Sequence, residues 1–264
     1  MIDPLEFVNY METIFTKRSI EANQNVFLLK NYKQHSKLKF TVLDFVKKSI
    51  LSGRFQKLGN VITAIAAHNN SIIIGNNIGL IKTYSCDQQL EFNTLTSKDI
   101  DNCEKRAVIC MDISSDGELL LVGYANGYIA LWELSTLKIR KLIKDVHKCS
   151  VVACKFIKND NKRSDFVTSD SEGNVFKVTV KSGYFSYSVD SKILIRNNTA
   201  IFLINVLKLE DEEKKYFSSE IRKSVIIAFG CLEFTMIYML EPELKKLISF
   251  EKPKYVKDNS VPDI

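Results

Sequence analysis

The stretch that decides the fold is DISSDGELLLVGYANGYIALWEL, residues 112–134. It holds two apolar runs, 119–122 and 128–132, joined by a short polar turn that ends at Gly127. A second polar turn, which contains Asp116 and Gly117, precedes the first run. Leucines that follow one another without polar alternation are typical of a strand buried on both faces. The stretch therefore predicts antiparallel hairpins in a sheet that is covered on two sides.

The same order of strand, polar turn, strand, glycine turn and strand occurs three times, at 61–85, 107–134 and 151–181. The turn glycines Gly79, Gly127 and Gly173 are 48 and 46 residues apart. These spacings lie just above the roughly 40–45 residues of one β-propeller blade. A looser unit follows at 200–240, and the apolar residues 247–250 would begin a fifth. The sequence predicts an all-β, incomplete propeller of four to five blades, because no amphipathic helical period separates the strands.

The recurring glycine has a local physical reason. Asn-Gly supplies positive φ at little cost, so we expect two-residue hairpin turns of the primed type at Asn126–Gly127 and its counterparts. The predicted fourth unit departs from this pattern, because Phe234 stands where its turn glycine would be.

Two regions are expected. Residues 1–55 form a lead-in segment, with a helix that begins at Asp3-Pro4 and ends near residue 16, and with a strand or short helix over 46–51. Residues 56–264 form the blades.

Composition excludes several function classes. The net charge of +6 is mild, and the paired basic residues lack the interleaved aromatics of a nucleic-acid surface, so no nucleic-acid partner is expected. Six cysteines and three histidines without a C-x-x-C pair predict free thiols, with no metal and no cofactor. The first residues lack the basic and apolar regions of a secretory signal, so a cytoplasmic location is expected.

Residues 112–134 resemble a WD-repeat blade, with Trp132-Glu133 in place of the usual Trp-Asp. A narrower match lies in DVHKCSVVACKF, 145–156, and SDSEGNVFK, 169–177. These blocks, with Val189-Asp190-Ser191 and the turn at 74–79, resemble the vacuolar protein sorting-associated protein 8 family over roughly residues 55–205.

This resemblance implies a non-enzymatic amino-terminal propeller of a CORVET-type subunit in endosomal tethering. The implied partners are the class C vacuolar sorting core subunits and a Rab-type GTPase, through which the protein would lie peripherally on endosomal membrane. Two alternatives stay open: a generic WD-repeat adaptor of another assembly, and a propeller enzyme. An enzyme would need convergent titratable residues at the central channel, and none are evident in the sequence.

No catalytic residue is predicted. The candidate residues are structural ones that mark the blades: Gly79, Asp116, Gly117, Gly127, Trp132, His147, Asp170 and Gly173. His147 is interpreted as a hydrogen-bonding residue at the entry to a blade, and Trp132 as packing between blades. Asp116 is interpreted as a turn residue.

Overall fold

The computed structural model describes residues 44–51, 61–68, 71–85, 90–95, 107–136, 138–160, 162–184, 186–207, 224–241 and 243–251. These form one helix and four four-stranded antiparallel sheets, each built from consecutive strands. The all-β propeller prediction is confirmed. The predicted helix from Asp3-Pro4 to about residue 16 lies outside the described residues.

The sheets are blades 1 to 4 in chain order. Blade 1 contains β1 (Ile62–His68), β2 (Ser71–Asn76), β3 (Ile81–Ser85) and β4 (Leu90–Leu95). Blade 2 contains β5 (Val108–Ile113), β6 (Leu119–Tyr124), β7 (Ile129–Glu133) and β8 (Lys138–Ile143). Blade 3 contains β9 (Val151–Asn159), β10 (Arg163–Asp170), β11 (Asn174–Ser182) and β12 (Tyr187–Arg196). Blade 4 contains β13 (Leu203–Leu207), β14 (Ile226–Gly230), β15 (Phe234–Met239) and β16 (Lys245–Glu251).

The tail of the predicted repeat belongs to blade 4. Residues 245–251 pair with β15 along its length, with Ile237 opposite Ile248, so they form the outer strand and not the start of a fifth blade. The expected fifth unit is therefore wrong for the described residues. Three apolar runs per repeat were visible in the sequence, whereas each blade has four strands.

The core lies between the blades. Both faces of β6 are covered, and successive side chains of a strand point to opposite faces. Leu120 therefore packs toward blade 1, and Leu119 and Leu121 pack toward blade 3. Trp132, only 1% exposed, packs with Ile73 of blade 1 in the first of these layers. A third layer joins blades 3 and 4 through side chains such as Phe229.

Helix α1 (Asp44–Leu51) packs on the outward face of blade 1, where Val46 contacts a cluster that contains Ile74 and Tyr84. Asp44 in its first turn and Lys48 in its last turn complement the helix dipole. The sequence predicted either a strand or a short helix over residues 46–51, and the structure shows a helix.

The four described sheets do not close into a ring. Ile65 of β1 lies opposite Ile74 of β2, so the two side chains are on the same face of blade 1. Ile74 is buried there, whereas Ile65 is 64% exposed, because no further described blade covers it. Helix α1 covers the second and third strands of this face and leaves part of the innermost strand bare. This geometry is that of an incomplete propeller.

The glycine turns are one residue longer than expected. In blade 1 the Asn76 amide donates to the Leu80 carbonyl, and the Gly79 amide donates to the Asn76 carbonyl. This pattern is a three-residue loop that ends in a glycine at φ 83°, not a two-residue primed turn. Gly127 and Gly173 occupy the same place at φ 85° and 86°.

Candidate functional site

The most connected polar cluster in the described chain lies where blade 2 leads into blade 3. His147 precedes β9, and its Nδ1 lies 3.0 Å from Oδ2 of Asp170 at the end of β10. Its Nε2 lies 2.8 Å from Oγ1 of Thr168 on the same strand. We call these three side chains the His147 clamp. They are 4%, 2% and 0% exposed respectively, so the clamp is sealed inside the blade.

The hydrogen-bond pattern fixes the protonation of the clamp. Burial lowers the pKa of His147 and outweighs the opposing effect of Asp170, so the imidazole is neutral near pH 7. Burial favours the neutral acid at Asp170, but hydrogen bonds from His147 and from the Asn174 amide hold its pKa below the ordinary value. A carboxylate only accepts, so Nδ1–H of His147 donates to Asp170 and Nε2 accepts from the Thr168 hydroxyl.

Asp170 also organises the turn after β10. Its Oδ1 accepts the backbone amides of Glu172 at 3.1 Å and Asn174 at 2.9 Å. In blade 1 the side chain of Asn76 does the same, with Oδ1 accepting the amides of Ile78 at 3.1 Å and Leu80 at 2.7 Å. Blades 1 and 3 therefore each have a side-chain oxygen that accepts backbone amides at the first position of the turn. The oxygen belongs to a neutral amide in blade 1 and to a carboxylate in blade 3.

Thr168 and Asn76 were not among the residues singled out from the sequence. Thr168 carries no local signal, because it lies 21 residues from His147 and they meet only once β10 is paired. The signal for Asn76 was available: it stands three residues before Gly79, as Asp170 stands three before Gly173.

The clamp contains the atoms of a hydrolase triad but not its accessibility. A hydroxyl, an imidazole and a carboxylate are in the order that nucleophilic catalysis uses. However, Thr168 is fully buried, and the ring of Phe176 packs edge-on against His147 at 4.8 Å between centroids. In this arrangement the Thr168 hydroxyl is closed off from solvent, and the three side chains join the entry segment to β10.

Two other predicted residues, Asp116 and Gly117, lie apart from the clamp. Asp116 holds the turn between β5 and β6, since its Oδ1 accepts from the Ser114 hydroxyl at 2.5 Å and from the Glu118 amide at 3.0 Å. Its Oδ2 accepts from Nδ2 of Asn159 at 2.6 Å, which links blades 2 and 3. Gly117 follows at φ 77°, beside the ring of His68.

The backbone of the blade-entry segment lies so close to Gly127 that no side chain fits at this position. A Cβ at this position would lie 2.6 Å from the carbonyl oxygen of His147 and 2.9 Å from that of Cys149. Gly173 lies equally close to the carbonyl oxygens of Asn197 and Thr199. The glycine turn of each of these blades therefore supports the segment that leads to the next blade.

An apolar patch lies on the surface near the blade 4 turn. Phe202, Leu203 and Leu232 are 53%, 57% and 76% exposed. They are neighbours, because the Phe202 amide donates to the Gly230 carbonyl, Leu203 pairs with Gly230, and Leu232 follows two residues later. We call these three residues the blade 4 patch. These three large apolar residues are therefore exposed at the same end of blade 4, which makes this end a candidate protein contact.

Other site types lack support in the described ranges. No group of three metal-binding side chains comes together there. No described helix is long and apolar enough to span a bilayer.

The comparison with known families decides what kind of propeller this is. Residues 36–264 match the family described as Vps8 beta-propeller. The chain belongs to the Vps8 β-propeller family. The predicted resemblance is thereby confirmed, and the matched part contains all four blades and helix α1.

Curated relatives agree with this Vps8 membership. The human vacuolar protein sorting-associated protein 8 homolog is 24% identical over 216 residues, and the mouse homolog is 26% identical over the same length. Each alignment covers 81% of this chain and 15% of the relative, so the Vps8-family chain spans about one seventh of those proteins. The solved structure of U3-55K matches with a TM-score of 0.54 at 17% identity, over 73% of this chain and 52% of that one, which supports the fold alone.

Proposed function

We propose that this Vps8-family propeller is a non-enzymatic interaction scaffold in vacuolar protein sorting, and that it acts as part of a CORVET-type tethering subunit on endosomes. Its proposed partners are the class C vacuolar sorting core subunits and a Rab-type GTPase. Association with the membrane would then be peripheral and would run through these partners.

The blade 4 patch carries this proposal. Exposed Phe202, Leu203 and Leu232 offer a partner an apolar surface that costs little to desolvate, as the centres of protein interfaces do. The one triad-like cluster in the described chain is buried, which supports binding over turnover. Membership in the Vps8 family supplies the sorting context.

The test is affinity purification of the tagged protein from its own cells, with mass spectrometry of the proteins that come with it. We expect the wild-type chain to recover class C sorting subunits and an early endosomal Rab. Leu232→Asp places a charge in the patch without touching the core, because Leu232 is 76% exposed. We expect recovery of these partners to fall about tenfold with this variant.

Val61→Asp is the matched control, because Val61, which directly precedes β1, is a similarly exposed apolar residue, with 61% exposure. It should keep wild-type recovery. Recovery of a different stable assembly by the wild-type chain would favour the generic adaptor over the tethering role. Equal losses in both variants would argue against the patch as the contact.

A further inference from the structure

A basic groove lies between the outer edges of blades 2 and 3. It is bounded by Arg140 of β8, by Asp160, Lys162 and Arg163 at the turn into β10, and by Tyr187 of β12. We call this the Arg140 groove. Since β10 runs from Arg163 to Asp170, the groove is at the opposite end of the blade from the His147 clamp.

Arg140 is fixed across the two blades. Its chain neighbours Ile139 and Lys141 pair with the consecutive residues Trp132 and Leu131, so Arg140 has no partner in the register and occupies a bulge in β8. A bulge redirects a side chain. Its Nε donates to the Tyr187 hydroxyl at 3.0 Å, and its guanidinium lies 5.4 Å from the centre of that ring. With Nε engaged, the two terminal nitrogens of the guanidinium are left to bind an oxyanion.

The acidic groups nearby are already engaged. Asp160 Oδ1 accepts the backbone amides of Lys162 and Arg163 at 3.0 and 2.8 Å, and these bonds hold its pKa below the ordinary value. Lys158 lies 3.8 Å from its Oδ2. Asp165 Oδ1 accepts a hydrogen bond from Nε of Arg163 at 2.8 Å. Glu241 also acts on Arg163 but is paired with Lys177, whose Nζ lies 2.7 Å from its Oε1. With that ion pair counted as neutral, the cations Arg140, Lys158, Lys162 and Arg163 exceed the carboxylates Asp160 and Asp165 by two charges.

The groove is bordered by an edge strand. β8 is the outer strand of its sheet, and within the described residues no strand pairs with its free side. This strand carries Lys138, which is exposed, and Arg140 and Lys141, which are partly exposed. An extended polypeptide can add backbone hydrogen bonds to such an edge, which a lipid headgroup cannot do. The groove is also recessed between two blades. A flat bilayer surface binds cations that project from a protein, so a recessed site favours a peptide over a membrane.

We propose that the Arg140 groove binds an acidic peptide segment of a partner protein, with its carboxylates on Arg140, Lys162 and Arg163. This deepens the proposed function, because it names the chemistry of one partner segment and adds a second contact surface to the blade 4 patch. Carboxylate–guanidinium pairs in a partly recessed site supply directional, charge-assisted hydrogen bonds.

The test measures direct binding of the 264-residue chain to a fluorescently labelled peptide of alternating glutamate and serine, by fluorescence anisotropy. The matched probe has glutamine in place of each glutamate. We expect saturable binding of the glutamate peptide only, weakening as salt is raised. Lys162→Glu should weaken this binding at least about tenfold, because it replaces an attractive charge by a repulsive one. Lys162 is exposed, so the variant should fold.

Two controls make the result decisive. Lys245→Glu makes the same charge change on the exposed β16 and should leave peptide affinity unchanged. Arg140→Gln should weaken binding as Lys162→Glu does. Absence of peptide binding, or equal loss in Lys245→Glu, would overturn the proposal. The proposal would also be overturned if phosphatidylserine vesicles bound in a manner that depends on Lys162 and the peptide did not bind. No sorting subunit takes part, so this proposal and the tethering role can fail separately.

Discussion

The Nδ1 of His147 lies 3.0 Å from the Oδ2 of Asp170, although the two residues are 23 positions apart. One belongs to the segment that leaves blade 2, and the other ends the second strand of blade 3. Their hydrogen bond therefore fixes where the chain enters a new blade. Asp170 holds the glycine turn at the same time, so one carboxylate joins the entry segment to the turn.

Removal of Asp170 should be costly. Asp170→Ala leaves Nδ1–H of His147 and the amides of Glu172 and Asn174 without their acceptor inside the blade, and we expect the free energy of unfolding to fall by about 3 kcal/mol. Urea unfolding followed by tryptophan fluorescence measures this, because Trp132 is the single tryptophan. Asp145→Ala, at an exposed position nearby, is the control and should change little. A similar loss in both variants would contradict the clamp.

The clamp should also make stability depend on pH. The pKa of His147 is lowered in the folded chain relative to its ordinary 6.5, so the unfolded chain takes up a proton first as the pH falls. Stability should therefore decrease from about pH 6.5 downward, toward the folded pKa. The pKa of Asp170 is also lowered, from 3.8, so its contribution is present above that value and is lost as the pH falls through its folded pKa.

The measurement is the urea midpoint at pH 7 and at pH 5. The wild type should lose stability between them, while His147→Gln should be less stable at pH 7 and show a smaller pH dependence. His68→Gln serves as the comparison, since it leaves the clamp intact. It should keep the part of the pH dependence of stability that comes from His147. An unchanged slope in His147→Gln would show that another group titrates.

The blades could be predicted from the sequence because their inner strands are marked twice, by apolar runs and by the glycine turns. Their outer strands could not. β8 reads KIRKLI, and its charged residues resemble a loop because this strand is partly exposed at the edge of its sheet. The outer strand of blade 4 is visible as an apolar run at 247–250, but with three strands expected per blade it is assigned to a fifth unit. Strands that are covered on both faces have a sequence signature that edge strands lack.

The clamp was only half visible for a related reason. His147 and Asp170 each stand in a recognisable local pattern, whereas Thr168 lies within a strand whose side chains from Ser164 to Asp170 are all buried. Nothing in sequence spacing indicates which of these polar side chains faces the imidazole. Pairing of β10 with β9 decides it, and that pairing includes register shifts that no periodicity predicts.

The glycine turns allow a graded prediction. Gly127→Ala combines an unfavourable φ of 85° with a Cβ 2.6 Å from the backbone oxygen of His147, which cannot move without displacing the clamp. We expect a loss of at least about 2 kcal/mol in the free energy of unfolding. Gly117→Ala has a similar φ of 77°, but its nearest neighbour is the side chain of His68 at 2.9 Å, which can rotate away. Its loss should be about 1 kcal/mol.

Urea titrations of both variants test this order. Equal losses would mean that φ alone sets the cost and that the contact with the His147 carbonyl contributes nothing. A larger loss at Gly117 would contradict the packing of the turn against the blade-entry segment.

Cysteine reactivity offers a test of the layer between blades 2 and 3. A hydrogen bond with Cys110, together with burial, raises the pKa of the Cys154 thiol well above its usual value. Cys154 is 8% exposed, whereas Cys149, in the segment that leads into β9, is partly accessible. Because only the thiolate reacts, iodoacetamide should label Cys149 far faster than Cys154 in the folded chain.

Peptide mapping by mass spectrometry at successive times measures both rates in one sample. In concentrated urea the two rates should converge, since unfolding removes both the burial and the hydrogen bond. Rapid labelling of Cys154 in the folded chain would show that blades 2 and 3 separate on the timescale of the reaction, and the packing of Cys154 with Leu121 and Phe166 would then not be persistent.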